Sequence, residues 1–168
     1  MPRIYLAGPD VFRVDAALHF ALLAAVCERS GAVALSPFDA AVTASTSPHA
    51  IYANNMALIR SADGVVANLA PFRGAEPDSG TVFEVGAAIA LGLPVVAYGV
   101  SGLYVDQVRK RGPVERVDGA LRDADGLTVE DFGLPLNLML STAVQFADSA
   151  EEAIKTMALL LAGRQPDA

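Results

Sequence analysis

Glu84 has the strongest case for covalent chemistry in this 168-residue chain. It follows a long Gly/Pro loop, residues 71–80, and lies near the start of a predicted helix, where Thr81-x-x-Glu84 matches a capping box. Asp78 or Ser79 is an alternative N-cap residue. A carboxylate in the first helical turn feels the positive end of the helix dipole, which keeps it ionised. Such a carboxylate beside an anomeric carbon can form a glycosyl ester, which a second acceptor then opens.

Ester formation at a sugar also needs a proton donor for the leaving group. Asp63, at the start of the predicted strand 62–69, is a candidate donor when the leaving group is a base. A turn over residues 62–64 explains the same acid without chemistry, and spacing alone favours that explanation. Asn137 lies at the entrance of an apolar helix, where an N-cap role needs no further function. Three more polar residues are ambiguous in the same way: Tyr5, Asp39 and Asn55.

The first predicted strand ends in a Gly8-Pro9 turn, which is followed by Phe12. A tight strand exit explains the glycine. Close approach of a ligand to the backbone explains it equally well, because glycine has no side chain. The turn is not a dinucleotide-binding fingerprint, since the second and third glycines of that pattern are missing, and the sequence has no Walker A loop.

Short apolar runs alternate with helical patterns along the chain. The predicted strands are residues 3–7, 32–35, 62–69, 94–98 and 143–147. The predicted helices are residues 15–29, 51–60, 81–91, 136–142 and 149–163, the last opened by the capping box Ser149-x-x-Glu152. Residues 99–135 are charged and Gly-rich, and we expect a mobile connection or lid there, with a helix near residues 104–111.

This alternation predicts one α/β domain over residues 1–168, with an open parallel sheet of about five strands flanked by helices. Ligands bind such sheets at the carboxyl ends of the strands. The loops that follow the strands are therefore the places where we expect a site: residues 8–12, 36–39, 68–80 and 99 onward.

Composition limits the classes of partner. Hydrophobic residues make up 53% of the chain and charged residues 18%, which is typical of a well-buried globular domain. The net charge is −7 and no basic cluster is longer than residues 109–111, which argues against nucleic acid and leaves a small anionic or neutral ligand. Cys27 is the only cysteine, so an intrachain disulfide is excluded. Neither His19 nor His49 has the spacing of a metal ligand, so no metal site is predicted.

Residues 85–105 carry no formal charge and are numerous enough to cross a bilayer. The segment 91–94, Leu-Gly-Leu-Pro, is typical of a helix end before a new strand. We therefore predict a buried helix and a buried strand, and no membrane association. The first residues lack a basic-then-apolar targeting signal and reach Asp10 early, which predicts a cytoplasmic protein.

Three segments together resemble the nucleoside 2-deoxyribosyltransferases. They read Tyr-Leu-Ala-Gly-Pro at 5–9, Pro-Phe-Arg-Gly-x-Glu-Pro-Asp-x-Gly-Thr-x-Phe-Glu-Val-Gly at 71–86 and Gly-Leu-Pro-x-Asn-Leu-Met-Leu at 133–140. The resemblance spans residues 3–155 and is strongest to the bacterial and protozoan branch that carries the Pro-Phe-Arg-Gly loop. It implies a flavodoxin-like fold. It also implies ping-pong transfer of 2-deoxyribose between 2′-deoxynucleosides and free purine or pyrimidine bases, without a cofactor.

By position in these motifs, Glu84 matches the family's nucleophile, Tyr5 the residue that orients it and Asp63 the acid that assists protonation of the base. Asp78 matches a carboxylate that grips the sugar hydroxyls, and Asn137 an amide that reaches the site of a neighbouring subunit. The resemblance therefore implies a homo-oligomer, either a dimer or a trimer of dimers. Further substrate contacts are expected from Gly8, Pro9, Phe12, Asp39, Asn55 and Met139.

The chain departs from the family in two places. Some members place a glutamine after the second strand to contact the base, where this chain has Asp39. Residues 164–168 lack the terminal tyrosine that completes the pocket in some members, so another residue or the 99–135 segment must close it. An N-glycosidase that uses the same glutamate with water as acceptor is the alternative, with Arg13 and Arg73 as candidate phosphate partners. A non-catalytic nucleoside-binding module is a third hypothesis.

Overall fold

A computed structural model describes residues 1–38 and 46–163 of the chain. The strands are β1 (Arg3–Ala7), β2 (Val33–Leu35), β3 (Gly64–Asn68), β4 (Val95–Tyr98), β5 (Glu115–Val117), β6 (Ala120–Arg122) and β7 (Gln145–Phe146). The helices are α1 (Ala16–Arg29), α2 (Pro48–Ser61), α3 (Ser79–Ala90), α4 (Tyr104–Arg109), α5 (Leu138–Ala143) and α6 (Ala150–Ala162). A 3₁₀ helix, Pro9–Phe12, follows β1.

Five of these strands form one parallel sheet in the order β2-β1-β3-β4-β7. This confirms the predicted α/β fold with an open five-stranded parallel sheet, and the order is that of flavodoxin-like folds. The winding direction reverses at β1, because β2 lies on one side of it and the later strands lie on the other. A ligand is therefore expected beyond the carboxyl end of β1.

Successive side chains of β1 point to opposite faces of the sheet. Ile4 and Leu6 pack into the core that includes α1 and α6, whereas Tyr5 packs into the core that includes α2 and α3. Tyr5 is completely buried and lies in register with Val65 of β3. The alternation therefore places the Tyr5 side chain on the same face of the sheet as α3, the helix that carries Glu84.

The start of α3 differs from its prediction by two residues. Asp78 is the N-cap, and its Oδ2 accepts hydrogen bonds from the Thr81 backbone N–H at 2.9 Å and the Thr81 hydroxyl at 3.0 Å. The predicted capping box Thr81-x-x-Glu84 is therefore wrong, and the alternative cap Asp78 is confirmed. Glu84 consequently lies in the second turn of α3, where the helix dipole acts on it more weakly than predicted.

Residues 99–135 contain more regular structure than the predicted connection. After α4, the strands β5 and β6 pair as an antiparallel hairpin, and Val105, Leu121 and Val129 form a small core of their own. Asp118 and Gly119 make the two-residue turn, with φ angles of 49° and 83°. Both strands are three residues long and most of their residues are not buried, so the sequence contains no periodic apolar run that would indicate them.

Two other predictions of secondary structure are confirmed. The uncharged run 85–105 divides between α3 and β4. Ser149 caps α6 by accepting the backbone N–H of Glu152 at 3.2 Å. Within the described ranges, no helix is long and apolar enough to cross a membrane. Cys27 is fully buried on α1, and burial raises the pKa of its thiol to about 11.

Candidate active site

A cavity of about 720 Å³ opens beyond the carboxyl ends of β1 and β2, against α2 and the start of α3. Its described lining residues are Gly8, Val11, Phe12, Pro37, Phe38, Ile51, Asn55, Asp78, Gly80, Thr81 and Glu84. This volume is in the range of small-molecule sites. Asp78 and Glu84 are the charged residues of this described lining, so a bound ligand meets negative charge there.

Glu84 is held from two sides. Tyr5 on β1 donates its hydroxyl hydrogen to Glu84 Oε1 at 2.7 Å. Asn55 on α2 donates through Nδ2 to the same oxygen at 3.4 Å. Glu84 Oε2 accepts no hydrogen bond from the residues that the structure describes. One carboxylate oxygen is therefore fixed by the protein, and the other is free to react with or bind a ligand.

The electrostatics of Glu84 combine opposing effects. Burial raises the pKa of Glu84 above its usual value, and the nearby Asp78 carboxylate adds to the rise. The hydrogen bonds from Tyr5 and Asn55 lower this pKa, because they stabilise the ionised form. Burial, with the charge of Glu84, strongly raises the pKa of Tyr5, so the phenol keeps its proton and remains a donor. A glutamate with a raised pKa is more basic, and therefore more nucleophilic, once ionised.

Asp78 also lines the cavity. Its Oδ2 is occupied by the cap of α3, whereas its Oδ1 has no hydrogen-bond partner among the described residues. A Cβ at Gly80 would lie 3.1 Å from Oδ2, so glycine leaves room for the capping carboxylate. The second oxygen of Asp78 can thus accept a hydrogen bond from a ligand hydroxyl.

The Gly8-Pro9 turn contributes Gly8 to the cavity wall, while Pro9 begins the 3₁₀ helix and does not line the cavity. A Cβ at Gly8 would lie 2.8 Å from Asp10 Oδ2 and 2.9 Å from Asn68 Cβ. Packing within the protein therefore already requires glycine at this position. Phe12, at the end of the 3₁₀ helix, lines the cavity with a ring that is more than half exposed.

Asp10 and Asn68 form a polar cluster beside Gly8 that the sequence patterns did not indicate. Asp10 is almost fully buried, and Asn68, the last residue of β3, donates through Nδ2 to Asp10 Oδ2 at 2.8 Å. Tyr98, the last residue of β4, lies near Asp10, and burial together with the Asp10 charge raises the pKa of the phenol. Strand direction is the signal that would have found this cluster, because Asn68 and Tyr98 both end their strands.

The structure separates Asp63 from Glu84, contrary to its expected role at the leaving group. Asp63 precedes β3 at the amino edge of the sheet, where its Oδ2 accepts the backbone N–H of Arg3 at 2.7 Å. Its side chain is 45% exposed and lies 3.9 Å from Arg3 Nε. A five-residue strand is about 16 Å long. The length of the strand therefore separates Asp63 from the cavity, which lies beyond the carboxyl ends of the strands. The turn interpretation accounts for Asp63.

Asn137 and Met139 lie apart from the cavity, in a groove between α3 and α5 that we call the α3–α5 groove. Its lining residues are Glu76, Pro77, Ser79, Val82, Val85, Gly86, Ile89, Ala90, Asn137, Met139, Leu140 and Ala143. Asn137 caps α5 by accepting the Met139 backbone N–H at 2.9 Å, so its N-cap interpretation is confirmed. Its Nδ2 donates to Glu130 Oε1 at 2.8 Å. Neither Asn137 nor Met139 lines the Glu84 cavity of its own chain.

Two predictions fall on residues that the structure does not describe. Asp39, the expected base contact after β2, lies outside the described residues. Residues 164–168, which lack the terminal tyrosine of some family members, also lie outside the described residues. Within residues 1–38 and 46–163, no group of three or more His, Cys, Asp or Glu side chains is arranged to hold a metal ion.

A sequence model of the nucleoside 2-deoxyribosyltransferases matches residues 4–139. A solved structure of a 2-deoxyribosyltransferase from Leishmania mexicana is 34% identical in sequence and superimposes with a TM-score of 0.79, over 95% of this chain and 98% of that chain. An uncharacterized protein of Schizosaccharomyces pombe is 31% identical over 191 residues, which cover 98% of this chain and 90% of the yeast protein.

A more distant similarity concerns the fold alone. A CMP N-glycosidase from Clostridium botulinum is 14% identical, with a TM-score of 0.52 over 94% of this chain and 98% of that chain. The segment that matches the family model contains Tyr5, Asp78 and Glu84, which lie together at the cavity. It also contains Asn137, which lies outside the cavity. The chain belongs to the nucleoside 2-deoxyribosyltransferase family and is a glycosyltransferase-type enzyme.

Proposed function

We propose that this enzyme exchanges the base of 2′-deoxynucleosides by a ping-pong mechanism, through a covalent 2-deoxyribosyl ester on Glu84. The observation that carries the proposal is the Glu84 carboxylate, which is fixed at Oε1 by Tyr5 and has no donor at Oε2 among the described residues. Membership of the family supports nucleosides and free bases as substrates.

In the first half-reaction, Oε2 of the ionised Glu84 attacks C1′ of the deoxynucleoside. A C–O bond forms while the glycosidic C–N bond breaks, and the electron pair of that bond stays on the base nitrogen, which takes up a proton. Tyr5 and Asn55 hold Oε1 at 2.7 and 3.4 Å, which keeps the reacting oxygen oriented. Departure of the base leaves the sugar esterified to Glu84.

In the second half-reaction, a nitrogen of the acceptor base attacks C1′ of the ester. The C–N bond forms, the C–O bond to Glu84 breaks, and the acceptor nitrogen loses its proton. The Glu84 carboxylate is thereby regenerated, and its Oε1 again accepts the hydrogen bond from Tyr5. The same two donors stabilise the charge that returns to this carboxylate.

Asp78 holds the sugar in this proposal and does not act as the acid. Its Oδ2 caps α3, and its Oδ1 accepts a hydrogen bond from a sugar hydroxyl. Both oxygens of Asp78 then serve as hydrogen-bond acceptors, one for the helix and one for the sugar. Asp63 lies at the other edge of the sheet, so the leaving base takes its proton from water.

The position of Glu84 in the cavity wall leads to a preference for deoxyribose over ribose. A 2′-hydroxyl on the carbon next to C1′ would crowd the carboxylate in the ester. We therefore expect deoxyinosine to react much faster than inosine. Equal values of kcat/KM for the two nucleosides would contradict this part of the proposal.

We also propose that the active enzyme is a homo-oligomer in which Asn137 reaches the cavity of a neighbouring copy. Asn137 lies in the α3–α5 groove and Met139 beside it is 71% exposed, so both can contact another chain but not the cavity of their own. Mixing two inactive variants tests the arrangement. Glu84→Gln and Asn137→Ala, refolded together, would regain activity if the site is shared, and would stay inactive if each site is complete within one chain.

Base exchange is tested with deoxyinosine and an excess of adenine. The expected products are deoxyadenosine and hypoxanthine in equal amounts. Intact-protein mass spectrometry after mixing with deoxyinosine alone is expected to show one 2-deoxyribosyl group on the wild-type chain and none on Glu84→Gln. Free deoxyribose as the main sugar product under excess adenine would instead identify an N-glycosidase, which uses the same ester with water as the acceptor.

A further inference from the structure

Glu130 lies in the segment between α4 and α5, and both oxygens of its carboxylate contact the start of α5. Its Oε1 accepts a hydrogen bond from Asn137 Nδ2 at 2.8 Å. Its Oε2 accepts the backbone N–H of Leu138, also at 2.8 Å. Hydrogen bonds to a carboxylate are stronger than those between neutral groups. One side chain therefore fixes two consecutive residues, the first of which is Asn137.

The amide of Asn137 is fixed at both of its polar atoms. Its Oδ1 accepts the Met139 backbone N–H at 2.9 Å, while its Nδ2 donates to Glu130. Turning the amide over would bring Nδ2 against the Met139 N–H and Oδ1 against the Glu130 carboxylate, so a single orientation is favoured. An amide has a second N–H and a second lone pair, which these two contacts do not use. Asn137 therefore keeps one more donor, in an orientation that Glu130 helps to define.

Both partners of this contact are themselves anchored. Val129, the residue before Glu130, packs with Leu121 in the small core of the same segment, and its backbone N–H donates to the Leu121 carbonyl oxygen at 2.9 Å. Leu136, the residue before Asn137, is 1% exposed, and its backbone N–H donates to the Ser141 hydroxyl at 3.0 Å. The carboxylate and the amide thus meet between two packed parts of the chain, which restrains both of them.

We propose that Glu130 is a positioning residue for the shared site, which holds the Asn137 amide so that its remaining N–H donates to the nucleoside in the neighbouring copy. The inference rests on the proposed function, in which Asn137 reaches that site. It deepens the proposal by giving the segment between α4 and α5 a role in it. Capping of α5 accounts for the contact with Leu138, but the contact with Asn137 Nδ2 satisfies no backbone group of that helix.

The first test measures release of hypoxanthine from deoxyinosine, a step that base exchange and hydrolysis share. Glu130→Ala removes both contacts and is expected to lower kcat/KM by about tenfold or more, the usual effect of losing a hydrogen bond to a charged group. Glu130→Gln keeps the length of the side chain but turns an amino group toward one of the two donors, so a similar loss is expected. Thermal unfolding checks that both variants fold.

Asp123→Ala is the matched control in the same segment. Asp123 Oδ1 accepts the backbone N–H groups of Asp125 at 3.0 Å and Leu127 at 2.9 Å, and among the described residues it does not contact Asn137. The variant therefore removes a carboxylate that orders the segment but leaves the contact between Glu130 and Asn137. We expect its kcat/KM to stay at the wild-type value.

Mixed oligomers separate an effect on the neighbouring site from an effect within one chain. When Glu130→Ala and Glu84→Gln are refolded together, the intact cavity of the first variant receives Asn137 from the second, in which Glu130 is intact. About one site in four is then complete in randomly assembled dimers. Hypoxanthine release by the mixture is expected to exceed the summed rates of the two separate variants several-fold.

Each other outcome overturns the inference in a distinguishable way. A gain for Asn137→Ala with Glu84→Gln, but none for Glu130→Ala with Glu84→Gln, would show that Glu130 acts within its own chain and would leave the shared site intact. No gain in either mixture would reject the shared site and this inference together. Equal losses in Glu130→Ala and Asp123→Ala would assign the effect to loosening of the whole segment, and Glu130→Ala at the wild-type rate would exclude any role in positioning.

Discussion

Glu84 and Asp63 are two acids of the same fold that lie at opposite edges of one sheet. Glu84 is partly buried near the carboxyl ends of the strands, where two donors share one of its oxygens and desolvation raises its pKa. Asp63 is half exposed at the amino edge, where it accepts the backbone N–H of Arg3. The difference teaches that strand direction, more than proximity to a strand, separates an acid that can react from one that closes a turn.

Of the substitutions that test this comparison, we expect the one at Glu84 to have the largest effect on activity. Glu84→Gln keeps the shape and the acceptor for Tyr5 but removes the nucleophile. We expect base exchange to fall by about four orders of magnitude, the scale on which loss of a nucleophile acts. Initial rates with deoxyinosine and adenine measure it, and calorimetry checks that nucleoside still binds. Turnover at the wild-type rate would reject both the ester mechanism and the assignment of Glu84 as the nucleophile.

Removing the Tyr5 hydroxyl should move the pH profile of the enzyme. The hydrogen bond from Tyr5 lowers the pKa of Glu84, so Tyr5→Phe is expected to raise that pKa further and shift the acid limb of kcat/KM to higher pH. Loss of a hydrogen bond to a charged group also lowers kcat/KM by about 10- to 100-fold at pH values above the acid limb, where Glu84 is ionised.

Tyr98→Phe is the matched control for this profile. It removes a half-buried hydroxyl that lies near Asp10 and does not interact with Glu84. We expect its acid limb to stay at the wild-type pH. A common shift in both variants would show that the limb does not report Glu84.

The raised pKa of Glu84 also predicts that this residue affects the free energy of unfolding in a pH-dependent way. The folded-state pKa of Glu84 lies above its unfolded-state value, so its contribution to stability is full below the unfolded pKa and is lost as pH rises through the folded pKa. Glu84→Gln should therefore raise the free energy of unfolding at neutral pH, with a gain that shrinks in acid. Urea denaturation at neutral and acid pH measures the difference. An equal gain at both pH values would contradict the burial effect.

The smallest effect is expected at the amino edge. Asp63→Asn keeps an acceptor for the Arg3 backbone N–H and loses only an exposed ion pair, whose atoms lie 3.9 Å apart. Such pairs contribute about 0–1 kcal/mol. We expect kcat/KM to stay within about twofold of the wild type, since a surface change of this kind rarely disturbs a distant site. A large loss of rate would return Asp63 to the catalytic group.

Much of the fold could be predicted because its signals are local. Buried parallel strands such as Val95–Tyr98 are continuous apolar runs, and helices such as α6 carry a cap that is visible in the sequence. The hairpin of β5 and β6 could not be predicted in this way. Five of the six residues in its short strands are not buried, and pairing across a tight turn stabilises them without an apolar pattern.

The site was predictable where a motif fixed both residue and place. Glu84 and Asp78 meet in the cavity as expected, whereas the cap of α3 fell on Asp78, because two caps within three residues compete and spacing does not rank them. Asp10 and Asn68 come from separate segments, and only the register of β1 with β3 brings them together. The position of the Arg73 guanidinium, which lies over the Phe72 ring, likewise depends on how a loop folds back.

The double use of Asp78 has an evolutionary consequence. One of its oxygens caps α3 and the residue also lines the cavity, so in the proposed function folding and ligand binding depend on a single side chain. Loss of an N-cap costs about 1 kcal/mol of stability before any ligand is considered. When selection, in nature or in the laboratory, favours a new sugar, we therefore expect substitutions at other residues that line the cavity, such as Val11 or Ile51, and retention of Asp78.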